Sequence, residues 1–254
     1  GSMAAMLAVV HRLTREKPKR RANLIVAFTV DEEHTFLGVQ HLMGTGLKAD
    51  FAVVAEPTRL NVVDAHKGVV RWKVSTAGKA CHSSRPDDGV NAIYRMGKLL
   101  GVIEKYAATL SGSVGDPRLG PPTLSVGRID GGVSVNTVPD SCIIEIDRRL
   151  IPGETAEGVV GDFDSFLKAH GDVPYEVHPI WLACPALASK NNDEVRRRLG
   201  RAIDSVRGSH ETLAVPFGTD ASSVAEAGIP ALVFGPGDIA QAHTKDEWID
   251  LDEV

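Results

Sequence analysis

Little in this chain points to a covalent scaffold, a membrane or a polyanionic partner. Its 254 residues hold only three cysteines, Cys81, Cys142 and Cys184, odd in number and nowhere in CxxC spacing. That argues against a disulfide framework or a structural zinc cage and leaves them as buried thiols. No apolar run approaches the roughly 20 residues that span a bilayer, and the N-terminus lacks the charged, apolar and small-residue succession of a signal peptide. Basic residues are in deficit: 28 Lys and Arg against 33 Asp and Glu leave a net charge of -5, no footprint for nucleic acid or an anionic membrane. Internal repeats and low-complexity segments are also missing. The expectation is a soluble, cytoplasmic protein with no nucleic-acid or membrane partner. At 43% hydrophobic and 24% charged it can bury a substantial core in one or two domains. Gly1-Ser2-Met3 reads as the scar of a removed tag, and Val254 stops inside the charged pattern DEWIDLDEV, so both ends are expected to be cut.

Three stretches far apart each read as an apolar strand running into a metal-capable side chain. They are LIVAFTVDEE with Asp31, Glu32 and Glu33, FAVVAEP with Glu56, and ALVFGPGDIAQAH with His243. In a parallel α/β sheet the carboxyl ends of strands open onto one crevice, so these three would deliver carboxylates and an imidazole to one place. Such a donor set is the beginning of a hydrolytic zinc site, which needs about three protein ligands per ion and an open position.

Periodicity supplies the frame. Met3, Met6, Leu7, Val10 and Leu13 form a helical stripe, followed by basic residues from Lys17 to Arg21 suited to a helix C-terminus. Residues 23–30 and 51–55 read as buried strands around a short helix, a βαβ unit. From about Val62 the strands become half-exposed, Val70, Trp72 and Val74 alternating with Arg71, Lys73 and Ser75. A helix around Ile93 to Ile103, strands at 123–129 and 142–150, a helix at 155–170 and a strand at 175–182 complete β-α-β-β-α-β, the ferredoxin-like order. On the strand at 142–150, Cys142, Ile144 and Ile146 face the helices while Glu145, Asp147 and Arg149 lie opposite. After Pro185 a helix at 193–206 and a strand at 229–234 restore the first pattern. The fold expected is α/β, a parallel-rich sheet with helices on both faces (1–61 and 183–254), interrupted by a ferredoxin-like domain (62–182).

Seven motifs in order now carry a family resemblance: DEE, AEPT, HKG, GKACHSSRPDDGVNAI, NTVPDSCIIEIDRRLIPGE, GTDA, and FGPG with AHTKDE. Together they resemble the co-catalytic dizinc deacylase and carboxypeptidase family, over nearly the whole chain and at the family's spacing. The resemblance implies a zinc-peptidase-like catalytic domain, a lid domain that pairs subunits into a homodimer, and two Zn2+ per subunit, with Co2+ or Mn2+ as substitutes. It implies an N-acyl amino acid or short peptide as substrate, with HKG and the HSS stretch leaning toward the acetylornithine deacetylase-like branch.

Carried over residue by residue, the resemblance makes Glu33, Glu56 and His243 metal ligands, Glu33 and His243 on one ion and Glu56 on the other. Glu32 becomes the general base that takes a proton from metal-activated water. The alternative is Asp31 as a helix cap with Glu32 and Glu33 complementing the helix dipole. His82 corresponds to a histidine that reaches the partner subunit's site to donate to an oxyanion; otherwise it is a turn histidine held by Ser83 and Ser84. Asn136 and Arg149 correspond to a substrate-holding amide and guanidinium, the bland reading of Arg149 being an ion pair with Asp147 or Glu145. Gly218 and Thr219 correspond to a substrate loop, though Thr219 and Asp220 also suit a helix cap. The remaining histidines, His66 and His210 among them, are left structural or solvated. Relatives carry an HxD motif and a bridging aspartate ahead of the segment matching Met3 to Leu7, and neither stands there in this chain. The sequence therefore predicts a metal-dependent amide hydrolase impaired in this chain. The alternatives are a carboxypeptidase or dipeptidase of the same chemistry, and a non-catalytic fragment that dimerises through its lid.

Overall fold

The apolar stripe at three- and four-residue steps forms helix α1 (Ser2–Glu16), which ends where Lys17 turns left-handed (φ 44°) and its N–H returns to the Leu13 carbonyl. The computed structural model describes residues 1–19 and 22–254, so Arg20 and Arg21 of the expected basic run lie outside the described residues. The next segment overturns an expectation. The predicted strand at 23–30 has no regular structure, and Leu24, Ile25, Phe28 and Val30 are each more than half exposed. A strand is held by ladder bonds to a neighbour, and no other described strand pairs with this segment, so apolar content alone does not make it one. The expected βαβ unit therefore does not form. Instead Asp31, at φ 66°, turns the chain, its carbonyl accepting from the Thr35 and Phe36 N–H groups at 3.1 and 2.8 Å. Helix α2 (Leu37–Gly44), strand β1 (Ala52–Val54) and the fully buried strand β2 (Val62–His66) follow.

The chain divides into two units, Gly1–His66 with Leu187–Val254, and Lys67–Ala186. The second unit runs β3 (Gly68–Ala77), β4 (Cys81–His82), α3 (Ala92–Ser111), β5 (Thr123–Gly131), β6 (Thr137–Val138), β7 (Ser141–Leu150), α4 (Ala156–His170), β8 (Glu176–Val177) and β9 (Leu182–Cys184). Its antiparallel sheet has the order β5-β7-β3-β8, with β9 also on β3, which is the ferredoxin-like arrangement. The two helices begin at side-chain caps: Asn91 accepts from the Tyr94 N–H at 3.0 Å and Thr155 from the Gly158 N–H at 3.2 Å. They close over Val70, Trp72, Val74, Ile144 and Ile146, with Phe163 edge-on to Trp72 at 5.1 Å between ring centroids. The single strand expected at 175–182 is two short ones. Pro179 lies between them and has no N–H for the ladder, which breaks there.

Gly68 begins β3 where only a glycine fits. A Cβ there would meet the Cys184 carbonyl oxygen at 2.4 Å and the Pro185 carbonyl carbon at 2.5 Å, both backbone atoms that cannot rotate away. Gly68→Ala should destabilise this unit by about 1–3 kcal/mol, the range for overpacked interiors, read as an earlier urea midpoint. An unchanged midpoint would show that β9 yields freely.

After the second unit, helix α5 (Asp193–Arg207), strand β10 (Thr212–Val215), helix α6 (Asp220–Glu226) and strand β11 (Ala231–Val233) return to the first. The four strands order as β1-β11-β2-β10, parallel within β1/β11 and β2/β10 and antiparallel at the central contact Val233–Val63. The sheet is thus parallel-rich but mixed. Val62, Val195, Ile203 and Leu232 make its core with α5, and α6 packs on β1 and β11.

Candidate functional site

Glu56 and the loop that leads to His243 are joined by backbone. After β1, the Thr58 hydroxyl accepts from the Gly235 N–H at 3.1 Å, the Thr58 N–H donates to the Gly235 carbonyl at 3.2 Å, and the Arg59 N–H donates to the Gly237 carbonyl at 2.7 Å. Gly235 has to be glycine, since a Cβ would lie 2.6 Å from the Glu56 carbonyl oxygen. The Gly235-Pro236-Gly237 turn is thereby zipped to the exit of β1. A short 3-10 turn, Ile239–Gln241, then carries the chain to His243, which sits left-handed at φ 62°. Its Nε2 lies 2.9 Å from Glu33 Oε1, a contact across 210 residues between two side chains that are both 73% exposed. The hydrogen bond to Glu33 raises the His243 pKa above its usual value.

Electrostatics bind further acids to this pair. Burial first, then the Glu56, Glu33 and Asp220 charges, lift the Glu32 carboxyl from its usual 4.5 to about 7. Glu56 is likewise pushed up to about 7, by burial and then by Glu33 and Asp220, while His243 opposes the shift. Glu32 and Glu56 therefore sit in a field, set by burial and by neighbouring acids, that makes their ionisation costly near neutrality. A cation among them would remove that cost, so the chemistry of the donor set fits a hard or borderline metal ion. The geometry supplies only part of a centre: Glu33 and His243 stand together, and among the described residues no three His, Cys, Asp or Glu side chains gather as a metal-holding group.

The other predicted residues are placed as follows. His82 and Asn136 come together in the second unit. Strand β4 pairs with β6 through His82 and Thr137, and the Ser83 N–H donates to the Asn136 carbonyl at 2.9 Å. His82 is exposed, its Nδ1 2.8 Å from the Ser84 hydroxyl, so one half of the turn-histidine reading is seen. The exposed Asn136 accepts from the Ser134 hydroxyl at 2.5 Å. Arg149 lies on the half-buried face of β7 with Nε 2.8 Å from Asp147, whose other oxygen accepts from Arg71 Nε at 2.8 Å. Gly218 precedes a Thr219 that is 1% exposed and caps α6, its hydroxyl accepting from the Ala221 N–H at 3.2 Å and lying 3.1 Å from His66 Nε2. His66 itself is buried in β2.

Sequence reasoning missed Asp220 as a member of the site. It stands in the first turn of α6 and is 7% exposed. Its Oδ2 accepts from the Thr29 hydroxyl at 2.7 Å, while Oδ1 is buried without a hydrogen-bond partner. Nothing in GTDA separates a capping aspartate from one aimed at other acids. Only its burial and its effect on Glu32 and Glu56 do so.

Comparison with known proteins bears on this arrangement. Residues 64–173 match the M20 peptidase dimerisation domain. An acetylornithine deacetylase of Myxococcus xanthus is 35% identical over 240 residues, covering 92% of this chain and 62% of the relative. Among solved structures, a tripeptidase of Staphylococcus aureus superposes with TM-score 0.71 at 23% identity, over 92% of this chain and 61% of its own. The yeast dipeptidase Dug1p superposes with TM-score 0.73 at 13% identity, over 99% and 67%. These last two likenesses establish the fold alone. The chain spans about three fifths of the length of the curated relatives it matches.

Proposed function

We propose that the protein, similar over residues 64–173 to the M20 peptidase dimerisation domain and over most of its length to acetylornithine deacetylases, is a metal-dependent hydrolase of that family that cleaves the amide bond of an N-acyl amino acid, with N-acetylornithine the first substrate to test. The observation that carries this reading is the Glu33–His243 contact within a group of acids that also holds Glu32, Glu56 and Asp220. The identity to relatives named as deacetylases favours an acyl group over a peptide.

In this reading Glu33 and His243 would hold one zinc ion and Glu56 would contribute to a second. A cation held there would supply Lewis acidity toward the amide carbonyl and lower the pKa of water. Glu32 takes the proton of the attacking water and delivers it to the departing nitrogen, a transfer its half-buried carboxyl suits. Arg149 holds the substrate carboxylate with its planar fork, exchanging Asp147 for it. His82 and Asn136, neighbours at one ribbon end, donate to the acyl oxygen and the substrate, His82 from the other subunit of a homodimer. The Gly218 backbone lines the substrate loop, while Thr219, already engaged by the Ala221 N–H and His66, holds that loop in place. Residues 1–61 and 183–254 form the catalytic part, and 62–182 the lid and dimerisation part, within which the matched peptidase dimerisation segment 64–173 lies.

Metal content and turnover test this together. The complete native polypeptide should carry two zinc equivalents and deacetylate N-acetylornithine in preference to cleaving dipeptides. Fewer than one equivalent, with no turnover of acetylated amino acids, would overturn the reading. Two equivalents with a preference for dipeptides would move it to the peptidase branch.

A further inference from the structure

Thr29 and Asp220 meet across 191 residues, the Thr29 hydroxyl donating to Asp220 Oδ2 at 2.7 Å. Thr29 closes the irregular segment 22–29, which has no ladder bonds among the described residues, and it precedes the Asp31 turn that presents Glu32 and Glu33. The segment's apolar side chains are largely exposed, so packing holds it weakly. Asp220, in contrast, is seven per cent exposed and built on a helix whose whole first turn is buried against β1 and β11. One end of this hydrogen bond is therefore rigid and the other is not.

We propose that Asp220 is a positioning residue: through the Thr29 hydroxyl it anchors the acid-bearing turn 31–33 to the N-terminus of α6 and so sets where Glu32 and Glu33 stand. The inference rests on the reading that these two acids serve a metal-dependent hydrolysis. The position of Asp220 is itself fixed by its burial and its place in α6. Asp220 stands in the first turn of α6, where burial pushes its pKa up and the hydrogen bond from Thr29 opposes that shift. Its Oδ1 is buried without a hydrogen-bond partner among the described residues, and its charge raises the pKa values of Glu32 and Glu56. Removing a residue that orients ligands from behind typically lowers metal affinity or activity about 10–100-fold.

The test is a double-mutant cycle in the complete native polypeptide, reading zinc affinity by chelator competition and kcat/KM. Thr29→Val removes the hydroxyl at constant shape, and Asp220→Ala removes its acceptor. Each should weaken zinc binding and kcat/KM about 10–100-fold, and the double variant should be no worse than either single, because one bond is lost in all three. Thr29→Ser restores a hydroxyl and should return to within about threefold of the parent. Should Thr29→Val leave zinc affinity and kcat/KM unchanged, or should the two losses simply add, the anchoring role falls. A parent protein that binds no zinc and hydrolyses nothing fails the functional reading instead, so the two failures are separable. Melting temperatures of the metal-free variants exclude unfolding as the cause, and a loss that follows melting temperature alone also overturns the proposal.

Discussion

Glutamine in place of Glu32 should lower the kcat of the complete polypeptide by about 100- to 10,000-fold, the range for a lost general base, with little change in zinc content. The substitution keeps size and hydrogen-bonding capacity and removes only the ability to carry a proton. The structure separates the two neighbouring acids by environment. Glu32 is half-buried and lifted to about 7 by burial and by the acids around it, whereas Glu33 is exposed and already bonded to His243. Two adjacent carboxyls in such different surroundings are suited to different tasks, one to hold a cation and one to move a proton. Glu33→Gln should therefore behave oppositely, losing zinc as well as turnover. If Glu32→Gln strips the metal while Glu33→Gln retains it, the two assignments are reversed; if neither affects turnover, Glu32 and Glu33 are surface acids and the hydrolase reading fails with them.

The repeating elements could be read in advance because their causes are local. Apolar steps of three and four marked α1, α3 and α4, and Asn91 and Thr155 stand as caps where α3 and α4 begin. Alternation marked β3 and β7, which pair in continuous register from Gly68–Leu150 to Ala77–Ser141. Where the outcome depended on a neighbour, the sequence was a poor guide. LIVAF has the composition of a buried strand, yet strand formation needs a partner for its backbone, and none of the described strands offers one. The site shows the same division. The Glu33–His243 contact was legible because both residues belong to motifs of a known pattern, while the gathering of three ligands around Glu56 does not follow from those motifs and is not present among the described residues. Asp220 was illegible as a site acid because its significance lies in burial, and a helix-capping pattern accounts for it equally well in one dimension.

Arg148 shows how far such one-dimensional accounting falls short, and it carries the largest stability effect expected in the second unit. The alternation of β7 places residues 142, 144, 146, 148 and 150 on the buried face, so the run Cys142, Ile144, Ile146 continues through an arginine before Leu150. Its side chain is 2% exposed and is made tolerable by Glu154, which accepts from Nη2 at 2.7 Å and from Nη1 at 3.1 Å. Glu154 also accepts from the Ile151 N–H at 2.8 Å, so the carboxylate fixes the turn between β7 and α4 as well. Burying a guanidinium costs several kcal/mol, and only a well-placed partner offsets it. Glu154→Ala should therefore destabilise the unit by about 3–5 kcal/mol, because it leaves the charge buried and unpaired. Arg148→Met should cost much less, since the long apolar chain fills similar volume and the stranded carboxylate, 24% exposed, keeps contact with water. The double variant Arg148→Met/Glu154→Leu should lie close to the parent, as replacing both partners of a buried pair with apolar groups often does. Denaturant midpoints of the four proteins decide it. Equal losses from the two single substitutions would show that the pair contributes by its packing alone, and a loss in the double variant larger than that of Glu154→Ala would show that the ion pair holds this turn in a way apolar side chains cannot replace.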